Sequence, residues 1–323
     1  MNRERITLSS THIDLHGMRM SKKALEDAAK MVNSDRNPRV GLEHDMSFPP
    51  LGRITDAEVI KGKDGEYYLV GYREYFDERK QTTLKDGSLL YIEYFKNGGK
   101  PFAEAKPDVV DKIQINADPS NFENREEMEA FVDDIEKASG IEFSKQHLLR
   151  KSHIPDPEMV IKLTGILAVG IGIIASKVTE KTGEAIGEDV AKFYKLVRAS
   201  VIGMVQRAIP KLRPITFIFE IHEESVIIEL LIKSNNPDFV VGAFNKSKVD
   251  SIKQKVETSK NIFGAEKIQF MFNEKEEWEL TYMLTDKGET IGTKKSFDRR
   301  DVAFQELVDK MIERNNNSEN GSS

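Results

Sequence analysis

The chain has 323 residues, with 54 Asp or Glu against 48 Lys or Arg, so its net charge is −6. That acidic balance argues against a general nucleic-acid binder, which carries a basic excess, so no nucleic-acid partner is expected. The absence of cysteine excludes disulfide scaffolds, thiolate metal sites and cysteine nucleophiles.

At roughly 150 residues per domain the length predicts about two domains. No apolar run follows Met1-Asn2-Arg3-Glu4-Arg5, so no secretory signal is expected, and the expected compartment is the cytoplasm. Residues 1–118 read as an α+β unit. Leu25, Ala28, Ala29 and Val32 recur at helical spacing behind Ser21, a residue type that caps helices. Strands are predicted at Arg39–Leu42, Thr55–Ile60, Tyr67–Tyr72 and Ser88–Phe95. The second and third of these are joined through Lys63-Asp64-Gly65, since Asp-Gly favours a hairpin turn.

Residues 119–157 read as a connector: an acidic helix over Glu126–Lys137 stopped by Gly140, then a stretch broken by Pro155 and Pro157. Residues 158–213 read as an apolar and amphipathic helical segment. Residues 214–314 read as a small α+β sandwich in a ββα–ββα order, with strands at Ile215–Ile221, Val226–Ile232, Lys267–Phe272 and Trp278–Leu284 and a further one around Thr290–Thr293. The polar residues 315–323 are expected to be disordered. The expected fold class is therefore α+β throughout.

The most distinctive string is Glu43-His44-Asp45-Met46-Ser47-Phe48-Pro49-Pro50-Leu51-Gly52-Arg53-Ile54, set between two predicted strands. With Ile13-Asp14-Leu15-His16-Gly17-Met18 before it and Phe76-Asp77 after it, this order resembles the prohead (capsid maturation) proteases of tailed phages over residues 6–95. In that family a strand ends in a His-Asp pair, a proline loop follows, and Gly-Arg enters the next strand. The resemblance implies a β-rich protease fold, shared with the herpesvirus assemblins, in which His44 is the general base and Asp45, Pro50, Gly52 and Arg53 complete the motif. A serine hydroxyl needs such a base because it is a poor nucleophile at neutral pH. The family's nucleophile lies further along, on a strand, in a Ser-apolar-Gly-aromatic context. The matching strand here reads Leu90-Tyr91-Ile92-Glu93-Tyr94, which places Tyr91 at the serine position and Glu93 at the glycine position. Ser88, three residues earlier, is the remaining candidate nucleophile.

Other chemistry finds little in the sequence. His12 and His16 are four apart but precede the first helix, and that spacing brings metal ligands together only on a helix. No phosphate loop or dinucleotide fingerprint occurs; Gly165, Gly170 and Gly172 follow no predicted strand. No cofactor and no metal are expected.

Leu163–Ser176 contains no charged residue and is bounded by Lys162 and Lys177. A spanning helix needs about 20 apolar residues, so the length favours a buried helix over membrane insertion or an interfacial helix. Thr164, Ala168, Gly172 and Ser176 recur every four residues, a small-residue stripe that lets two helices approach. Self-association is expected through this stripe. Membrane contact, and with it an inner-membrane association, is the expectation if residues 159–176 insert.

Together these features point to a non-catalytic, protease-like recognition or assembly domain coupled to an oligomerising or membrane-active helix. Its partner would be a peptide or a phage protein, and by analogy the whole is a bacterial anti-phage defence effector. The alternatives are an active serine endopeptidase using His44 and Ser88, and a phage or prophage assembly scaffold.

Overall fold

The computed structural model describes residues 3–13, 19–42, 45–84, 87–108, 110–147, 157–164, 168, 172, 183–223 and 225–320. In chain order its elements are β1 (Arg3–Ser10), α1 (Lys22–Val32), β2 (Arg39–Val40), β3 (Gly52–Lys61), β4 (Tyr67–Tyr75), β5 (Glu78–Thr83), β6 (Leu89–Tyr94), β7 (Gln114–Ala117), α2 (Arg125–Ser139), β8 (Ser144–His147) and β9 (Glu158–Leu163). There follow α3 (Gly183–Arg207), β10 (Thr216–His222), β11 (Ile227–Lys233), α4 (Pro237–Gly242), α5 (Lys246–Phe263), β12 (Ala265–Phe272), β13 (Trp278–Thr285), β14 (Thr290–Gly292) and α6 (Lys294–Asn320). The fold class is α+β. The chain divides into two units, one built from residues up to Ala105 together with those from Tyr282 onward, the other from Lys106–Thr281.

The first unit holds an antiparallel sheet in the order β1-β4-β3-β2. Gly65 turns the β3–β4 hairpin at φ +87, a region closed to most side chains. Helix α1 starts where Ser21 Oγ accepts the Ala24 N–H at 3.1 Å, and it buries Leu25 and Val32 against Ala57 and Leu69. An extra residue bulges from β3 between Thr55 and Glu58. The Asn33 side chain repairs the interrupted ladder: its amide donates to Ala57 O at 2.7 Å and its carbonyl accepts from Ala57 N at 2.9 Å. In the same unit β5 pairs with β6, β6 with β14, and β14 with Tyr282–Leu284 of β13.

The second unit is a mixed sheet in the order β12-β11-β10-β9-β7-β8. One face is apolar. Phe219 of β10 meets Phe193 of α3 and Phe244, with ring centroids 6.2 and 4.7 Å away. The other face carries a polar row. Gln114 lies opposite Lys162, Lys162 opposite Glu220, Glu220 opposite Glu229, and Glu229 opposite Gln269. Directly opposed residues share a face, so the two carboxylates would repel across the β10–β11 pair. Each is compensated. Glu229, wholly buried, meets Lys267 Nζ at 2.6 Å and accepts from Gln269 Nε2 at 2.8 Å. Glu220 meets His222 Nε2 at 3.2 Å and Lys162 Nζ at 3.6 Å. His222 Nδ1 accepts the Asp108 N–H at 2.9 Å, so Nε2 carries the proton donated to Glu220.

Several expectations are corrected. Residues 158–163 form a strand, not the start of a helical segment. Six residues with four consecutive buried positions suit a strand covered on both faces, a pattern that a short apolar run shares with a buried helix. The single helix expected over Leu163–Ser176 does not form as such. Leu163 ends β9 and Gly172 sits at φ +85, outside helical geometry. Ala168, fully buried, keeps one helical bond from its N–H to Thr164 O, while Ser176 lies outside the described residues. Close helix approach occurs elsewhere: a Cβ on Gly203 of α3 would stand 2.7 Å from the Phe131 ring of α2.

The expected connector 119–157 is part of the second unit, because α2 buries Met128, Phe131, Val132 and Ile135 and β8 pairs with β7. The expected C-terminal sandwich is divided at Thr281, its last strands and helix grouping with the N-terminal residues. Helix α6 runs on through Asn315–Asn320, since Gly321 is the first helix breaker after Lys294. Among the described residues no helix is long and apolar enough to cross a membrane.

The buried Lys267–Glu229 pair sets a stability test. Glu229→Leu removes the carboxylate 2.6 Å from the buried Lys267 ammonium and should lower the unfolding free energy in urea by about 3–5 kcal/mol, whereas adding Lys267→Met should recover most of it. Glu220 sets a second. Burial works to raise its pKa, but the His222 hydrogen bond and the charges of Lys267 and Lys162 outweigh it and bring it from 4.5 to about 2. This depressed pKa stabilises the fold fully above about pH 4.5, and the stabilisation fades as pH falls toward 2. Glu220→Gln should therefore flatten the acid limb of a stability–pH curve in that window.

Candidate functional site

The motif loop joins β2 to β3 in the first unit. Asp45 N bonds Leu42 O at 2.8 Å, and Asp45 Oδ1 accepts from Ser47 N at 2.7 Å, closing a side-chain turn. Pro49 and Pro50 are buried, and Leu51 N returns to Val40 O at 2.8 Å. Helix α6 holds the loop through its carbonyls. Arg299 donates to Ser47 O at 2.6 Å and lies over the Phe48 ring at 4.9 Å, while Arg300 donates to Pro50 O at 2.7 Å. Burial pulls the Arg299 pKa below its ordinary value, partly offset by the charge of Asp45. The Tyr282 hydroxyl adds a 3.4 Å bond to Met46 O and accepts from Arg39 at 3.0 Å.

Strand β6 carries Tyr91 and Glu93. Glu93 is buried and faces α6. Arg300 grips it with both terminal nitrogens, at 2.7 and 2.9 Å, and Arg79 adds bonds at 2.9 and 2.5 Å. Asp301 completes the cluster, 2.7 Å from Arg300 and 2.8 Å from Arg79. Burial would raise the Asp301 pKa, but these two guanidiniums hold it below the usual carboxylate range. Tyr91, half-buried, pairs across the strands with Gln81 and Gly292. Ser88 is exposed in the turn before β6, where its carbonyl accepts the Leu84 N–H at 2.8 Å.

Gly52 and Arg53 begin β3. A Cβ on Gly52 would come within 1.9 Å of Glu74 O, so only glycine fits at this crossing. Arg53 reaches back to Glu74 at 2.9 Å and stacks 3.9 Å over Phe95. Glu74 also meets Arg3 at 3.3 Å and accepts from Thr55 at 3.2 Å. Arg53, Thr55 and Glu74 wall an open cleft of about 630 Å³ that is also lined by Asn37, Asp56 and Tyr72.

Of the motif residues read from sequence, Asp45 and Pro50 are held against α6, and Gly52 and Arg53 are held against β4. His44 lies outside the described residues. Arg299, Arg300 and Arg79 escaped the sequence reading because the first two lie some 250 residues from the loop they grip, and no local pattern links them. Among the described residues no cluster of His, Asp or Glu has the makings of a metal site. Compared with protein-family models, curated proteins and solved structures, the chain matches none.

Arg300→Ala would leave the buried Glu93 to Arg79, bare of the guanidinium that spans both its oxygens, and release Pro50 O. The unfolding free energy should fall by about 3–5 kcal/mol, with amide exchange quickening over Asp45–Leu51. Gly52→Ala should cost about 1–3 kcal/mol, because the backbone of β3 must move away from β4; a stability equal to wild type would contradict the close approach.

Proposed function

We propose that the chain is a non-catalytic, protease-like recognition and assembly protein. Its N-terminal region would keep the architecture of a prohead protease without the peptidase chemistry. The observation that carries this reading is Glu93. Where a prohead protease has a small residue beside its nucleophile, this chain has a buried carboxylate spanned by Arg300 and Arg79. A carboxylate so occupied is a structural ion pair, not a base awaiting a substrate. Tyr91 at the neighbouring nucleophile position has a phenol in place of the aliphatic hydroxyl, and Ser88 sits in an exposed turn.

The partner class is an extended peptide or a phage protein, taken up by strand pairing. β5 supports this, since among the described residues it is the last strand of its sheet on that side and its outer edge has no neighbour in the strand order. A protease-like head that binds without cleaving suits a sensor, and the role of bacterial anti-phage effector follows from it by analogy.

The purified full chain should neither process itself nor cleave a capsid-scaffold substrate. Cleavage that disappears in both Ser88→Ala and His44→Ala would overturn the reading in favour of an active serine endopeptidase.

A further inference from the structure

From Val190 to Phe219 the chain runs 30 residues without Asp or Glu while carrying Lys192, Lys195, Arg198, Arg207, Lys211 and Arg213. In a protein of net charge −6 this is a local excess of six cations. Much of the segment is α3. Its inner face buries Phe193, Leu196, Val197, Val201 and Met204. From Lys195 onward, the exposed residues of the helix are Lys195, Arg198, Ile202, Val205 and Gln206. Their spacing of three and four residues sets them on one stripe along the helix. Ile202 and Val205 keep 40% and 41% of their surface in water.

The stripe leads into the loop Pro210-Lys211-Leu212-Arg213-Pro214. Leu212 is 98% exposed and holds φ +65, a left-handed conformation that is costly for a branched side chain. The loop is braced in this form. Asn235 donates to Arg213 O at 3.2 Å and accepts from Ile215 N at 3.1 Å, and Lys211 Nζ reaches Gln206 O at 2.7 Å. A strained, fully solvated leucine between two cations gains nothing within its own unit, and strain of this kind collects at functional positions.

We propose that this exposed stripe of α3 and the Leu212 loop form a docking face for an anionic lipid surface. The inference is independent of the protease-like reading and uses none of its residues. Aliphatic side chains interleaved with Lys and Arg on one helix face are what an interfacial helix presents to headgroups and acyl chains. Among the six cations Lys192 meets Glu188, Arg207 meets Asp134, and Arg198 meets the exposed Asp238. Lys195 lies on the stripe, and Lys211 and Arg213 flank Leu212. The acidic remainder of the chain is screened beyond about 8 Å at physiological salt, so the face acts through its own local charge.

A protein partner fits less well. Stable protein contacts bury about 800 Å² on each side, and a single-leucine tip on a narrow stripe presents far less, whereas a bilayer accepts a point of any shape. A nucleic acid would engage the cations but leave Ile202, Val205 and Leu212 in water, and the stripe holds no aromatic ring for a base to stack on.

The test is cosedimentation of the full chain with phosphatidylcholine vesicles, with and without phosphatidylserine, near physiological salt. Binding is expected only to the anionic vesicles. Leu212→Gly should weaken it about tenfold through loss of the buried side chain, and Lys211→Glu with Arg213→Glu should abolish it. Glycine accepts φ +65 without penalty, so Leu212→Gly should melt no lower than wild type, which separates lost docking from lost folding. Should that variant unfold, Ile202→Gln and Val205→Gln at exposed helix positions carry the same test. The proposal is overturned by absence of binding, by equal binding to uncharged vesicles, by wild-type binding of the variants, or by a preference for DNA or RNA over the vesicles.

Discussion

The Arg300 guanidinium is buried with a carboxylate and a backbone carbonyl around it, and this single group ties together three parts of the first unit. It belongs to α6, it grips Glu93 of β6, and it donates to Pro50 O in the loop between β2 and β3. A buried guanidinium without partners is prohibitively costly, so these three pieces must be correctly placed at once or not at all. That requirement makes residues near position 300 part of the N-terminal unit. The loop containing Asp45 and Pro50 has little regular structure of its own, and it takes its shape from the arginines that hold its carbonyls.

The second unit follows the same rule with a different layout. Its sheet buries a row of charged and amide side chains across β7, β9, β10, β11 and β12, where an apolar layer would ordinarily lie. Glu220 stands opposite Glu229, and the arrangement is tolerable only because Lys162, His222, Lys267 and Gln269 each meet a carboxylate. Such rows discriminate sharply between registers, since a slip of one residue would move every charge to the Phe217–Phe219 face.

The Arg300 group and the exposed stripe of α3 bear on the two proposals separately. The proposal of a protein that recognises without cleaving rests on the Glu93–Arg300–Arg79 ion-pair group and not on a missing residue alone. The α3 stripe carries the proposal of a lipid-docking face. Its cations and aliphatic residues are solvent-facing in a chain that is otherwise acidic, and burial of its opposite face is sufficient to explain the fold without them.

Local chemistry was legible in the sequence wherever a residue type demands one geometry. Asp64-Gly65 announced the β3–β4 hairpin, Ser21 the start of α1, and Gly140 the end of α2, where the structure has φ +68. The strands β10 to β14 were legible from their apolar patterning. By contrast β1 and β5, with sequences RERITLSS and ERKQTT, carry too few apolar residues to read as strands, and only their pairing with β4 and β6 makes them so. The apolar run at 158–163 reads as helix in the sequence and is a strand because β7 and β10 flank it. The sequence by itself determined the α+β class, the β3–β4 turn, the start of α1 and the end of α2. Tertiary structure alone decided which distant charges meet, because hydrogen bonds between residues 50 and 300 or 93 and 300 leave no periodic trace in the chain and exist only once its ends are brought together.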